Sequence, residues 1–227
     1  MIRVNAPAVT ARSRWELNHV PDSTILPVIN TLLLDVDGVL QFPRPQFVVD
    51  IEHDYRWNAG YLAFQQELLR DPAEARSLVG DGDLITVVQR LLPRHVTGLS
   101  ARQFLDRWLA ENIELNQELL DLLADVRADQ IYLATNQESE RGRRVKQLYA
   151  GRAGLTGILI SHEIGHRKPH REFFDAALTR VGRRPEECLF VDDHAAYVAG
   201  AVEAGIAGLL YRDNAQLIAA LTEYGLL

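Results

Sequence analysis

The chain has 227 residues, of which 47% are hydrophobic and 24% charged, a balance that excludes extended disorder and supplies enough apolar mass for one large domain or two small ones. A formal charge of -7 excludes a broad electrostatic footprint for nucleic acid or an anionic membrane, so a small anionic ligand needs a local positive site. The single cysteine, Cys188, excludes an internal disulfide, and its apolar surroundings predict a buried thiol in a reducing compartment.

Residues 1–30 form a leader without an apolar run of signal-peptide length, and nowhere do eighteen apolar residues follow one another; the expected location is cytoplasmic. Arginines near the start are compatible with an organellar address, but Glu16 and Asp22 follow soon and serine is scarce. Whether the leader packs on the core is left open, as is the oligomeric state.

Five short, continuously apolar runs have strand character: Thr31 to Leu34, Ile131 to Thr135, Gly157 to Ser161, Leu189 to Val191 and Gly208 to Tyr211. Such runs suit strands covered on both faces, and helical spacing between them predicts an α/β fold with a Rossmann-like parallel sheet. After the third run, Pro169 reads as a first helical position leading the stripe Phe173, Phe174, Ala177, Leu178 and Val181, which stops at Gly182. Gly205 closes the helix after the fourth run.

Nearly a hundred residues separate Asp37 from Thr135, whereas a crossover needs only about thirty. Within that interval Gly60 to Leu69, Pro72 to Val79, Leu84 to Leu92 and Ala101 to Ile113 read as amphipathic helices. The expectation is an all-helical insertion over residues 42–112. Around it, residues 31–41 and 113–227 form the core, with Leu115 to Val126 as the returning helix.

Four places carry chemistry. Leu32-Leu33-Leu34-Asp35-Val36-Asp37-Gly38 ends a buried strand in two carboxylates two positions apart, which period-two geometry turns to one side, where open parallel sheets bind ligands. The plain alternative is a tight turn. Thr135-Asn136-Gln137-Glu138 ends the second strand and also matches a capping box, so Thr135 either starts the next helix or meets an anion at its N-terminus. Lys168 precedes Pro169 and so lies in a loop near the strand ends. Phe190-Val191-Asp192-Asp193 delivers two more carboxylates, of which Asp193 also suits an N-cap.

In chain order these four pieces resemble the signature motifs of the haloacid dehalogenase superfamily over about residues 31–212. The resemblance implies a Rossmann-like core with a helical cap inserted after the first motif, and a phosphatase of small phosphorylated metabolites. It makes Asp35 the nucleophile and Asp37 the general acid/base, with Lys168, Thr135 and the backbone near Asn136 binding the phosphoryl group. Asp35, Asp37, Asp192 and Asp193 with one lysine would repel a phosphate dianion, which calls for a hard divalent cation such as magnesium. By resemblance that ion is held by the Asp35 carboxylate, the Asp37 carbonyl and Asp192 or Asp193, the choice within the last pair being open. A phosphomutase would use the same residues, and a silent binding module on the same fold is the alternative of another class.

The remaining polar clusters read as structural. Arg141, Arg143, Arg144 and Lys146 read as a solvated helix face, His162, His166 and His170 as loop residues, and Gly80-Asp81-Gly82-Asp83 as a turn. His194 is expected to cap a helix. His53, Tyr55, Arg56 and Trp57, with Arg44, stand at the start of the insertion either as substrate contacts or as its core and surface.

Overall fold

The computed structural model describes residues 28–227; the leader lies almost wholly outside them. The chain runs through β1 (Thr31–Leu34), β2 (Gln41–Pro43), α1 (Pro45–Asp54), β3 (Arg56–Trp57), α2 (Tyr61–Arg70), α3 (Pro72–Ser77), α4 (Leu84–Leu91), β4 (Val96–Thr97), α5 (Ala101–Glu111) and β5 (Ile113–Leu115). It continues through α6 (Gln117–Leu122), β6 (Gln130–Thr135), α7 (Ser139–Tyr149), β7 (Gly157–Ile160), α8 (Ser161–Ile164), α9 (Arg171–Val181), β8 (Cys188–Asp192), α10 (Ala195–Glu203), β9 (Ala207–Leu210) and α11 (Asn214–Glu223).

The five apolar runs form one parallel sheet in the order β7-β6-β1-β8-β9. Central β1 is fully buried and alternates between two cores. Leu32 and Leu34 join Ile131, Leu133, Leu189 and Val191 on one face, while Leu33 joins Ala134, Phe173, Phe174 and Phe190 on the other. Each such leucine contributes about 1.5–3 kcal/mol by leaving water. Because the chain steps from β1 to β6 on one side and later to β8 on the other, strand order reverses between β1 and β8, the position at which parallel sheets open a crevice.

Between β2 and β5, residues 44–112 build their own apolar cluster from Phe47, Tyr61, Phe64, Val88, Phe104, Leu105 and their neighbours. Besides the four expected helices the segment contains α1, opened by Pro45 and burying Phe47 and Ile51 four residues apart. It also carries a two-residue ribbon of β3 against β4. The segment leaves and rejoins the core through the antiparallel pair β2–β5. Leu115 is spent in that pair, so the returning helix starts only at Gln117, capped by Asn116, and ends at Leu122.

Helix α9 starts at Arg171 with His170 at the N-cap, two residues later than Pro169 suggested. The cause is the turn closed by His170 N donating to Arg167 O at 3.0 Å, which occupies Lys168 and Pro169. Its apolar stripe is buried as expected and ends at Gly182, whose φ of 67° favours glycine. Cys188 is buried, and burial pushes its thiol up to about 12.

Candidate active site

Strand β1 delivers Asp35 beyond its last leucine, its amide still donating to Val191 O of β8 at 2.9 Å. Strand β8 ends in Asp192, fully buried on the other side of the switch point. The loop between α8 and α9 inserts Lys168, 1% exposed, between the two. Its Nζ donates to Asp35 Oδ1 at 2.8 Å and to Asp192 Oδ2 at 2.6 Å. The ammonium also faces the rings of Phe190 and Tyr197, 5.3 and 5.1 Å from their centroids. The loop is fixed by Asn136, whose amide donates to Lys168 O at 3.0 Å and accepts from Lys168 N at 2.9 Å. The Asn136 side chain is thus committed to positioning Lys168.

One buried cation between carboxylates leaves negative charge in excess. Burial pushes Asp35 up to about 7, Asp192 and Asp37 adding to the rise and Lys168 opposing it. Burial works against the Lys168 charge, yet Asp35 and Asp192 outweigh it and hold its pKa above the ordinary value. Asp193 is raised by burial and by Asp192.

Asp35, Asp192 and Asp193 each bring a carboxylate oxygen within 4.8 Å of the others, an all-oxygen set of the kind a small hard cation takes. The chain makes room for it, because Gly38 has φ +85° and a Cβ there would stand 2.2 Å from Asp193 Oδ2. The Asp37 carboxylate is outside this set and is held separately. Gln41 Nε2 donates to its Oδ1 at 2.7 Å, while Gln137 Nε2 and Arg141 Nη2 both donate to Oδ2 at 2.7 Å. Burial favours the neutral acid, but Arg141, Gln41, Gln137 and Lys168 outweigh it and hold Asp37 below the usual carboxylate range.

Thr135 is the last residue of β6, 1% exposed, and its hydroxyl accepts from Gln137 Nε2 at 3.1 Å. It does not cap the next helix. That helix begins at Ser139, with Glu138 as N-cap accepting from Glu140 N at 2.6 Å and Arg141 N at 2.8 Å. The sheet holds Thr135 through its pairing with Ile160, so the four-residue capping pattern falls on strand and loop.

The sequence reading of Arg141 as a solvated residue is overturned, since it ends on Asp37; Gln137 stood there only as part of a capping pattern, and Gln41 had no role. A signal existed: Gln137 and Arg141 are four residues apart at the mouth of a strand end. The neighbours in that basic run are structural: Arg143 pairs with Glu140, Lys146 with Glu163, and Arg144 donates to Leu109 O. His162 lies in α8 against Gln137 O rather than in a loop. His194 precedes α10 without a side-chain capping bond; its amide donates to Asp192 Oδ1 at 2.8 Å and its ring stacks on Tyr197.

The polar and aromatic start of the insertion is engaged locally. Trp57 packs in the insertion's core and donates to Ile51 O, His53 pairs with Asp54, and Arg44 donates to Glu111 O. Instead Trp108 of α5 approaches the site, with the Arg141 guanidinium 5.1 Å from its ring centroid.

A family model described as haloacid dehalogenase-like hydrolase matches residues 29–205. The chain belongs to the haloacid dehalogenase-like hydrolases. It is 34% identical over 74 residues to flavin mononucleotide hydrolase 1, a chloroplast protein of Arabidopsis thaliana; the match spans 33% of this chain and 30% of that protein. The fold is similar to a haloacid dehalogenase family enzyme of Bacteroides thetaiotaomicron solved with magnesium and inorganic phosphate. That likeness has a TM-score of 0.66 and 21% identity over 83% of this chain and 98% of that one. A hydrolase of this type from Porphyromonas gingivalis gives a TM-score of 0.65 and 23% identity over 86% and 97% of the two chains. Among the described residues of this hydrolase no helix is long and apolar enough to cross a membrane.

Proposed function

We propose that this hydrolase is a magnesium-dependent phosphomonoesterase of small phosphorylated metabolites, working through an aspartyl-phosphate on Asp35. The observation that carries the reading is the placement of Asp35 at the switch point between Lys168 and the Asp192–Asp193 pair, with a second, separately held carboxylate, Asp37, two residues on. The Asp35, Asp192 and Asp193 carboxylates and the Asp37 carbonyl would hold the ion, which supplies positive charge against the phosphoryl oxygens.

Asp35 attacks phosphorus, forming the Asp35–phosphorus bond while the bond to the leaving oxygen breaks. Asp37, ionised in the free chain, must take up a proton as the ester binds in order to give it to that oxygen; in the second step it takes one from the water that cleaves the aspartyl-phosphate, regenerating Asp35 and releasing inorganic phosphate. Lys168 and the Thr135 hydroxyl bind phosphoryl oxygens, and Asn136 holds the Lys168 loop in place. A dehalogenating relative expels halide, which needs no proton, so the elaborate holding of Asp37 favours an alkoxide leaving group. Residues 44–112 act as a cap that contacts the leaving group and excludes water. A cytoplasmic location remains the expectation from composition, with the chloroplast relative as the alternative to test.

The test is inorganic phosphate release from a panel of phosphate monoesters that includes flavin mononucleotide, with magnesium and with chelator, for wild type and Asp35→Asn. The expected result is magnesium-dependent turnover that drops below about 1% in the folded mutant. Turnover surviving in Asp35→Asn, with deamidation excluded, removes Asp35 as nucleophile; no turnover of any ester by wild type removes the function.

A further inference from the structure

The carboxylate of Asp37 is held by three nitrogen donors, and their distribution over its two oxygens is unequal. Oδ2 receives both Gln137 Nε2 and Arg141 Nη2, each at 2.7 Å, which fills its two lone-pair directions with N–H donors. Oδ1 receives only Gln41 Nε2, so it alone keeps a direction in which a proton can sit. The Gln41 amide is in turn fixed by the Tyr149 hydroxyl, which donates to its Oε1 at 2.9 Å.

Of the three donors only Arg141 is anchored to the insertion. Its backbone amide is held by the Glu138 cap in the first turn of α7, and its guanidinium lies on the face of Trp108 from α5. Two further links tie the same helices together, Arg102 to Glu140 at 2.9 Å and Arg144 Nε to Leu109 O at 3.2 Å. Trp108 is itself stacked on Phe104, a buried member of the insertion's core. The guanidinium is therefore gripped between a catalytic carboxylate on one element and an aromatic ring on another.

We propose that Arg141, braced by Trp108, is a positioning residue that orients Asp37 so that Oδ1 faces the leaving oxygen, acting on proton delivery and not on capture of the phosphoryl group. This rests on the phosphatase reading and deepens it. An arginine binding the phosphoryl group or a second anionic group of the substrate would affect every ester alike or act through KM. An arginine that aims a proton donor matters only where the leaving oxygen needs a proton.

The experiment compares kcat/KM, which reports the phosphoryl-transfer step, for p-nitrophenyl phosphate and for the alkyl phosphate that wild type hydrolyses fastest. The nitrophenolate leaves with little protonation, whereas an alkoxide requires it. In Arg141→Gln and Trp108→Ala the alkyl ester is expected to lose about 10- to 100-fold and the nitrophenyl ester several-fold less. Arg141→Lys and Trp108→Phe, the latter keeping an aromatic face for the cation, are expected to recover part of the alkyl rate, and they carry the test if the harsher variants do not fold. Equal losses on both esters, or a common rise in KM with kcat kept, overturn the inference while leaving the phosphatase standing. A wild type that hydrolyses neither ester removes both.

Discussion

Gly38 and Asp193 lie so close that a methyl group on the glycine would stand 2.2 Å from a carboxylate oxygen. Gly38→Ala therefore meets two penalties, a positive φ of 85° worth about 1–2 kcal/mol and displacement of Asp193 from the acidic cluster. The expected outcome is a magnesium affinity about 10- to 100-fold weaker, read as a smaller rise in unfolding temperature across a magnesium titration. Unchanged affinity in the folded variant would take Asp193 out of the cation set.

Lys168 is the buried cation between Asp35 and Asp192, with all three side chains at most 8% exposed. Replacing it with methionine keeps the volume and leaves two carboxylates facing each other in a dry site. Lys168→Met is expected to cost about 3–5 kcal/mol in denaturant unfolding with chelator present, and added magnesium should return part of it. A cost within about 1 kcal/mol would mean that water reaches the pair.

Acid and base act in opposite directions on Asp35 and Asp37. Asp35 rises from 3.8 to about 7 on folding, so between those values the folded chain keeps a proton that the unfolded chain has lost, and stability falls as pH climbs through that window. Asp37 is lowered, so its contribution is present above 3.8 and lost as pH falls below it. Unfolding in chelator from pH 4 to 7 should show the decline in wild type and a flatter line in Asp35→Asn. Parallel lines would show that Asp35 does not titrate there.

The sheet was legible because its strands are short runs buried on both faces and bounded by polar turns, and Leu32, Leu33 and Leu34 end in a pair of carboxylates. Strands β2 and β5 were not, since three residues are too few to show a period. Helix α1 was overlooked although Pro45, Phe47 and Ile51 carry its start and its buried face. Asp35, Lys168 and Asp192 could be placed because strand ends and a pre-proline loop fix them locally. The grip on Asp37 could not. Starting α7 at Thr135 puts Gln137 in its first turn and Arg141 in a ring of basic residues. With Glu138 as the true cap, Gln137 stays beside the strand end and Arg141 follows in the first turn. Trp108 adds a partner thirty-three positions away, a tertiary neighbour that no local pattern announces.

The β2–β5 ribbon pairs Gln41 with Leu115 and Pro43 with Ile113, so the chain departs from the core and returns at one place. Closing a longer loop across such a gate adds only about 0.6 kcal/mol per doubling of its length, and the bonds that join Lys168 to Asp35 and Asp192 are made within the core. A different module joined at this gate would therefore keep the cluster of Asp35, Lys168 and Asp192 but not the brace that Trp108 gives Arg141. On the phosphatase reading proposed above, that separates what selects the departing alcohol from what holds the phosphoryl group.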